Sequence, residues 1–535
     1  MAFSFERSFS AFGRLIFVDF PRGKNHSRTG FSALCFLDKL CHHPPDRDSH
    51  IRRLQVIPTQ RDNKTMTGWL IFFFTLFLAS LAYASYRSYS KNRSSDDFML
   101  AGSNIGAILG FLTFSAALFS AFTFMGMPDF FRVHGVGAWI FLGLSDALMV
   151  FFLLWFGYKL RKRAAEVGYK GVAGFVQKCF QNKWAGYLLF VSSFLFLIPY
   201  VAIQIRGISI FLDAAFPDLI PGWGWSSLLV VLMLVYSEIG GLKAIMYSDA
   251  IQGLIMLVVI WIIGYTCLQM AGGLEAGIAK VTESNAGLLS LPGPKGLFSS
   301  PFLIASAIAI VMIPVSQPQF TTRLVVMKDL KSVHKMAYAV GFFAILVILP
   351  TAFIGLYGAV KYPESSTAEF LSAALLFDQA SPVAALAVVG LFAACLSTTN
   401  AQIFALGTEL RSLLTGSDKK VMRITQVAIF VFSIIVLVFS TYMSDELVLL
   451  ARVSFAGTSM IAPVVLGAVM FKHPPKSLLF LSAFALIYFV LSLAELVPAG
   501  FAGLPTDAAM YLILIPATAI LMLIHHFSSK SSHEA

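Results

Sequence analysis

The feature that most constrains this chain is a series of long apolar runs. A helix needs about 20 mostly apolar residues to cross the hydrocarbon core of a bilayer, and thirteen stretches of the sequence approach or exceed that length. Helices satisfy their own backbone groups where no water is available, so we predict an all-α integral membrane protein with about 13 transmembrane helices. The predicted spans are residues 67–86, 104–127, 135–158, 185–215, 222–240, 248–270, 300–319, 336–360, 382–413, 421–442, 446–471, 476–496 and 508–526.

The composition excludes several other classes of protein. Of the 535 residues, 57% are hydrophobic and only 13% are charged, whereas soluble domains average about 25% charged residues. A soluble multidomain protein of this size would need more polar surface than this chain supplies. The sequence also shows no nucleophile–base pair and no nucleotide-binding loop, so we do not expect an enzyme.

A net charge of +11 is also typical of proteins that bind nucleic acid. In this chain, however, the distribution of the basic residues indicates membrane topology instead. With the segment before residue 67 placed outside, the inner loops carry 22 Lys and Arg and the outer loops carry 4. Cytoplasmic loops are enriched in Lys and Arg. We therefore predict a multi-pass protein of the cell (inner) membrane, with its N-terminus outside and its C-terminus cytoplasmic. The expected partners are the lipid bilayer and a small-molecule solute, with no nucleic acid and with the oligomeric state left open.

Residues 1–65 do not follow this pattern. They hold eleven Lys and Arg and lack a 20-residue apolar run. This number of cations is unusual on the outer side of a membrane, because Lys and Arg are enriched in cytoplasmic loops. We interpret residues 1–65 as a disordered or mis-assigned N-terminal extension, with translation starting at Met66 as the second possibility. The transmembrane domain then covers residues 66–527, and residues 528–535 form a cytoplasmic tail.

Polar side chains inside the predicted spans mark a candidate solute path, because such groups are costly at membrane depth. Asp146 lies in the middle of the third span, Gln204 and Arg206 lie in the fourth, and Asp249 opens the sixth near the inner face. Two interpretations of Asp146 and Arg206 stay open. They form a mutual ion pair that only holds helices together, or one or both line an aqueous solute cavity.

Two of the predicted helices carry features that break helices. The second has small and hydroxyl residues in its middle, including Ser120 and Thr123, and the seventh has a proline on either side of Gln317. Proline removes a backbone donor, and unwound backbone at membrane depth is tolerated only where it lines a cavity or an ion site. Since the two helices are five apart, we predict two inverted five-helix repeats, at about residues 104–270 and 300–471.

The ninth span presents oxygen atoms on one face. Ala394, Ser397 and Thr398 have the i, i+3, i+4 spacing that places residues side by side on a helix. One carbonyl and two hydroxyl groups suit a hard cation, which prefers oxygen ligands. The alternative is that the two hydroxyls only bond neighbouring backbone, as Ser and Thr often do in membrane helices.

Three segments of the sequence resemble the sodium:solute symporter family, which includes proline, pantothenate, monocarboxylate and sugar symporters. Gly240–Gln252 is similar to the family's signature between two helices, and Asp97–Gly102 is similar to its loop before the first repeat. Ser316–Gln319, with Arg323, resembles the end of the family's seventh helix. The resemblance extends over residues 67–500, approximately, and its proline-, pantothenate- and monocarboxylate-type members are the most similar.

The resemblance implies one site for a sodium ion, shared by the first helix of repeat one and the third helix of repeat two. It also implies an acidic residue on the inner sodium path, which matches Asp249. The implied sodium ligands fall on Ala116, Phe119, Ala394, Ser397 and Thr398.

Positions where this chain departs from the family's patterns limit the choice of solute. Proline symporters have an Asp where this chain has Leu118, and sugar symporters have a Glu-Gln pair where it has Phe122 and Thr123. Both solutes are therefore disfavoured. The run Pro199–Gln204 before Arg206 resembles the monocarboxylate-type members, and a guanidinium suits a carboxylate through charge-assisted hydrogen bonds.

We therefore predict a secondary active transporter that couples sodium to the symport of a small organic acid or monocarboxylate by alternating access. The alternatives are sodium-coupled uptake of an amino acid or a vitamin, and a transporter-like sensory membrane module. Coupling to a proton in place of sodium also stays open, given Asp146.

Overall fold

A computed structural model describes residues 63–88, 99–216, 219–239, 241–501 and 503–534. Within these residues the chain is almost wholly helical, and its extended pairings are isolated single-residue bridges. The predicted all-α class is thus confirmed. The N-terminal extension predicted for residues 1–65 lies outside the described residues except at 63–65, so the start at Met66 stays a prediction.

The helices are numbered in chain order, and the first half of the chain, before residue 300, contains α1 to α9. A 3-10 turn precedes α2, and π-helical turns precede α3 and α4. The bounds are α1 Asn63–Ser88, α2 Ala107–Leu118, α3 Met127–His134, α4 Ser145–Val167, α5 Val172–Phe180, α6 Lys183–Ala215, α7 Gly222–Ile239, α8 Gly241–Met270 and α9 Gly273–Asn285.

The second half begins with three short helices in place of one span. A π-helical turn follows α14, and the last helix continues through most of the predicted tail. The bounds are α10 Ser300–Val311, α11 Ile313–Ser316, α12 Pro318–Val325, α13 Leu330–Lys361, α14 Thr367–Ser372, α15 Ser381–Leu413, α16 Asp418–Tyr442, α17 Leu447–Ser459, α18 Ala462–Met470, α19 Ser477–Leu493 and α20 Thr506–Glu534.

Each predicted span coincides with a helix, but the count of thirteen membrane crossings is not confirmed. In the described part of the chain, eight helices are long and apolar enough to cross a bilayer, or up to ten if each of two bent pairs is one span. The bent pairs are α2 with α3, at 60°, and α17 with α18, at 43°. The three other predicted spans fall on α7, on the broken series α10–α12 and on α19, which are shorter apolar segments.

Both predicted helix breaks are present, and both face the long helix α15. The second span breaks after Leu118 and the seventh breaks at Gln317. α2 and α12 also pack on one another and on α15, which is almost entirely buried. The arrangement brings the two unwound segments and one face of α15 into the same interior.

One end of the bundle joins loops that are all predicted to be inner. Ile105, before α2, forms a parallel bridge with Met327, after α12. The Lys328 amide donates to the Ile105 carbonyl at 2.8 Å. Arg161 at the end of α4 donates to the Val325 carbonyl at 2.7 Å and to two more carbonyls of the same segment. We call this the basic end.

The opposite end joins loops that are all predicted to be outer. Arg132 on α3 pairs with Asp129 and donates to the Tyr362 carbonyl at 2.8 Å. The Val136 amide donates to the Leu288 carbonyl at 2.7 Å. The two sets of contacts agree with the alternation of loops predicted from the sequence.

Candidate functional site

The break between α2 and α3 lies at the centre of the site. Phe119 has extended backbone angles (φ −94°, ψ 127°), and its amide donates to the Ser115 carbonyl at 2.9 Å. The Ser120 amide donates to the Thr123 hydroxyl at 3.3 Å as the chain turns into the π-helical segment Phe122–Gly126. All these residues are buried, so the unwound backbone depends on protein partners.

Four of the five residues implied as sodium ligands are joined by hydrogen bonds. The Ser397 hydroxyl is 3.0 Å from the carbonyl oxygens of both Ala116 and Ala394. The Thr398 hydroxyl is 3.3 Å from the Ala116 carbonyl. Phe119, the fifth residue, is the extended one at the break and is fully buried. We call Ala116, Phe119, Ala394, Ser397 and Thr398 the oxygen cluster.

The bonds within the oxygen cluster are of two kinds. The bond from Ser397 to Ala394 lies within α15, as the alternative of simple backbone bonding also predicts. The bonds to Ala116 connect α15 to α2, two helices that lie 281 residues apart at this point. Carbonyl and hydroxyl oxygens that converge from two helices have the chemistry of a site for a hard cation.

Tyr200 and Gln204 on α6 satisfy the broken backbone. The Tyr200 hydroxyl donates to the Leu118 carbonyl at 3.1 Å, which is the last carbonyl before the break. The Gln204 Oε1 accepts from the Ala121 amide at 3.0 Å, and its Nε2 donates to the Ser120 hydroxyl at 3.1 Å. The Tyr-x-x-x-Gln sequence is therefore matched to the break, because it supplies the partners that the missing helical turn would have supplied.

The second break follows from its prolines. Pro318 has no amide hydrogen, so the carbonyl of Pro314 four residues earlier loses its helical donor. The Thr321 hydroxyl replaces that donor at 2.7 Å. Gln317 has extended angles (φ −108°, ψ 116°), and its Oε1 accepts from the side-chain Nε2 of Gln319 at 2.7 Å. Gln317 thus lies at the break, as predicted.

A buried ion pair lies one helical turn from the oxygen cluster. Arg323 on α12 is 2.7 Å from the Asp249 carboxylate on α8, and both side chains are at most 1% exposed. The Thr113 hydroxyl on α2 donates to the Asp249 carboxylate at 2.9 Å and accepts from Arg323 Nε at 3.0 Å. Thr113 precedes Ala116 by three residues, a rise of about 4.5 Å along a helix. This triad lies between the cluster and the basic end.

The structure contradicts one interpretation of Asp146 and Arg206. Arg206 pairs with Asp445, before α17, at 2.8 Å, so the ion pair between Asp146 and Arg206 is wrong. The Arg206 and Asp445 side chains are about one third exposed, at 31% and 33%. Asp146 is buried in the first turn of α4, and neither of its carboxylate oxygens has a hydrogen-bond partner among the described residues.

Two partners in these pairs were not identified from the sequence. Asp445 lies in a loop of four residues between α16 and α17, where a single carboxylate carries no spacing signal. Arg323 was counted among the inner-loop cations, although its side chain is 1% exposed. The signal that could have found it is its place on the short helix directly after the Gln317 break, because a guanidinium buried there needs a carboxylate partner.

Two broken helices that face one oxygen-lined helix, with a buried ion pair beside them, are typical of a helical membrane transporter. The chain belongs to the sodium:solute symporter family, whose model matches residues 98–477. Members of this family are transporters, which confirms that an enzyme was not to be expected.

Known relatives and a solved structure agree with this assignment. A sodium/pantothenate symporter of Haemophilus influenzae is 25% identical over 59% of this chain, but the match spans 63% of that protein, which is less than two thirds of its length. The high-affinity proline transporter PutP of Bacillus subtilis is 23% identical over 73% of this chain and 85% of its own.

The solved structure is that of a Na⁺-coupled sialic acid symporter in a substrate-bound outward-open state. It is 15% identical, covers 86% of this chain and 97% of its own, and has a TM-score of 0.66. At this identity the likeness shows the fold, which confirms the predicted inverted-repeat transporter bundle.

Proposed function

We propose that this protein is a sodium-coupled symporter of a small organic acid, most specifically a monocarboxylate, and that it works by alternating access in the cell membrane. The observation that carries the proposal is the convergence of the Ser397 and Thr398 hydroxyls on the Ala116 carbonyl beside a broken helix. Sodium is a hard cation and takes neutral oxygen ligands of this kind. The family and the names of its relatives support sodium as the coupling ion.

In the proposed cycle, sodium enters from the outer side and bridges α2 and α15. The ion orders the unwound segment at Ser120 and Thr123, and the solute then binds beside it and Gln317. Coupling between the two ligands is reciprocal, so each raises the affinity for the other by the same factor. After the bundle opens toward the basic end, sodium leaves past Asp249, which lies one helical turn from Ala116.

The energetics favour accumulation of the solute. One charge that crosses a potential of 100 mV gains about 2.3 kcal/mol. At about 1.4 kcal/mol per factor of ten, the potential alone supports roughly 40-fold accumulation. The sodium gradient adds to this value.

The solute assignment rests on Arg206. Its guanidinium is one third exposed and its partner Asp445 occupies a loop, so a solute carboxylate can exchange with that partner. Asp146 and Gln204 lie deeper on the same proposed path, since both are buried. An arginine binds carboxylates in a planar, two-point geometry that lysine does not reproduce.

The experiment is uptake into proteoliposomes with a panel of labelled small acids, amino acids, vitamins and sugars, with sodium or potassium outside. We expect sodium-dependent uptake of a monocarboxylate, abolished by Arg206→Met and retained by Asp445→Asn. If the pair is only a link between helices, the two variants will lose uptake equally. Uptake of an amino acid or vitamin instead would overturn the solute assignment, and no uptake of any solute would favour the sensory alternative.

A further inference from the structure

A cavity at the basic end lies apart from the oxygen cluster. It has a volume of about 430 Å³, within the range of about 300–1,000 Å³ that is usual for small-molecule sites. Its walls come from the end of α4, from α5 and the turn after it, and from the connection between α18 and α19. These segments are far apart in the sequence, so the fold has brought their charges together.

The lining of this cavity is cationic. Arg163, Lys178 and Lys472 contribute three positive charges and Glu166 one negative charge, with His473 beside them. Burial raises the pKa of the Cys179 thiol, so this sixth residue adds no negative charge at neutral pH. An anion that enters the cavity meets a net charge of +2 from these groups with the histidine neutral.

The guanidinium of Arg163 is fixed by two hydrogen bonds, and these bonds do not use all of its N–H donors. Its side chain is 12% exposed, and its terminal nitrogens donate to Glu166 at 2.8 Å and to the Lys472 carbonyl at 2.9 Å. These two bonds use two of the five N–H donors of a guanidinium. The Lys178 ammonium donates to the Gly168 carbonyl at 2.8 Å, which fixes it while its other hydrogens remain able to bind.

The cavity also lies near the membrane boundary. Residues 471–476 connect two apolar helices, α18 and α19. A six-residue connection that leaves the bilayer and returns reaches only about 10 Å from the helix ends, at roughly 3.4 Å per residue. The headgroup layer on each side of the hydrocarbon core is about 5–8 Å thick, so we expect Lys472 and His473 to lie within reach of lipid phosphates.

We propose that this cavity binds a phosphate group, carried by the headgroup of an anionic lipid or by a soluble phosphate compound. Basic pockets between helices at the cytoplasmic side of membrane proteins suit such groups. The phosphate oxygens would accept from Arg163, Lys178 and Lys472 together. Bound there, the anion would bridge α4, α5 and the α18–α19 connection. The proposal does not depend on the transported solute.

The test uses the full chain and two double variants. Lys178→Gln with Lys472→Gln removes two cations from the cavity, and Lys331→Gln with Lys335→Gln removes two exposed cations from α13 at the same end. Inorganic phosphate is titrated by calorimetry against the purified protein. In parallel, native mass spectrometry measures phosphatidylglycerol retained from nanodiscs of phosphatidylcholine with and without that lipid. Thermal melting shows that each variant is folded.

We expect a loss of about fivefold in affinity for each cavity lysine, hence about 25-fold for the pair, and little change in the control. A loss confined to phosphatidylglycerol assigns the site to lipid, and a loss in the phosphate titration assigns it to a soluble phosphate compound. The proposal is overturned if the wild-type protein binds neither probe, or if both double variants lose binding equally.

Discussion

At the scale of single residues, two hydroxyls of α15 distinguish a structural role from the proposed role in binding sodium. The Ser397 hydroxyl reaches a carbonyl of another helix, whereas the Thr408 hydroxyl bonds the Phe404 carbonyl of its own helix at 3.0 Å. Both residues are buried. Removal of either hydroxyl therefore tests a different part of the same helix.

Ser397→Ala is expected to raise the sodium concentration for half-maximal uptake by about 10- to 100-fold. The variant removes one neutral oxygen from the proposed sodium ion, and polar contacts to charged groups contribute about 1.5–3 kcal/mol, taking hydrogen bonds as the guide. Thr408→Val is the control and should leave the sodium dependence unchanged. Uptake kinetics in proteoliposomes measure both, and an unchanged sodium requirement in Ser397→Ala would refute the site.

Tyr200→Phe is expected to destabilise the folded transporter by about 1–3 kcal/mol, the cost of a buried carbonyl left without its donor. The exposed Tyr187→Phe on the same helix should change stability by no more than about 0.5 kcal/mol. Unfolding in one detergent measures both variants. Equal stability of the two would mean that the Leu118 carbonyl has another partner.

Helical spacing in the sequence indicated three members of the oxygen cluster, and the family resemblance supplied the other two. The structure brings four of them together, and their role as sodium ligands stays a prediction. The sequence did not predict that Gln204 would bond the Ala121 amide and the Ser120 hydroxyl at the break. A contact between one glutamine and a segment about 80 residues away produces no repeating pattern in the sequence from which it could be predicted. The interpretation that paired Arg206 with Asp146 is wrong for the same reason.

At the scale of helices, the breaks were predictable and the number of crossings was not. The prolines around Gln317 act locally through the backbone, so they identify a break without knowledge of the fold. Span length is decided by packing as well as by hydropathy. α19, with 17 residues, and the series α10–α12 are apolar but short, and sequence runs alone could not distinguish them from full crossings.

Arg323→Met is expected to destabilise the protein strongly, because removal of one partner of a buried ion pair leaves the other charge uncompensated. The usual cost is about 3–5 kcal/mol. The double variant Arg323→Met with Asp249→Asn should be more stable than the single variant, since no charge is left buried. Denaturation of the purified proteins compares them.

A matched control for this pair is Lys328→Met, which removes an exposed cation from the same end. Its stability should stay within about 0.5 kcal/mol of the wild type. If Arg323→Met and the double variant are equally stable, the ion pair between Arg323 and Asp249 does not stabilise the packing of α2, α8 and α12.

At the scale of the whole molecule, the loops separate into two sets at opposite ends. The basic end gathers Arg161, Arg163 and the segment around Lys328, and the opposite end gathers Arg132, Tyr362 and Leu288. The excess of Lys and Arg in alternate loops predicted this division. One missed or added crossing would have assigned the loops after it to the wrong side. The same charge bias predicts an orientation in the membrane, which can be measured.

Single cysteines at the two ends are expected to react with a membrane-impermeant maleimide from opposite sides. Lys295→Cys should be labelled in intact cells, and Lys419→Cys only after permeabilisation. Both positions are exposed. The described native cysteines are buried, and Cys35 and Cys41 are replaced by Ser in this background. The reverse labelling pattern would invert the proposed topology.

The pairing of Ile105 with Met327 has a consequence for how this protein tolerates sequence change. The two repeats are joined there through amide and carbonyl groups, which every residue except proline supplies in full. The pairing itself therefore does not depend on which side chains stand at this seam, although Ile105 and Met327 are buried and must still fit the core. We expect lesions that break this pairing to be found as insertions, deletions or changes to proline, with Arg161, whose side chain binds the same segment, as the exception among ordinary replacements.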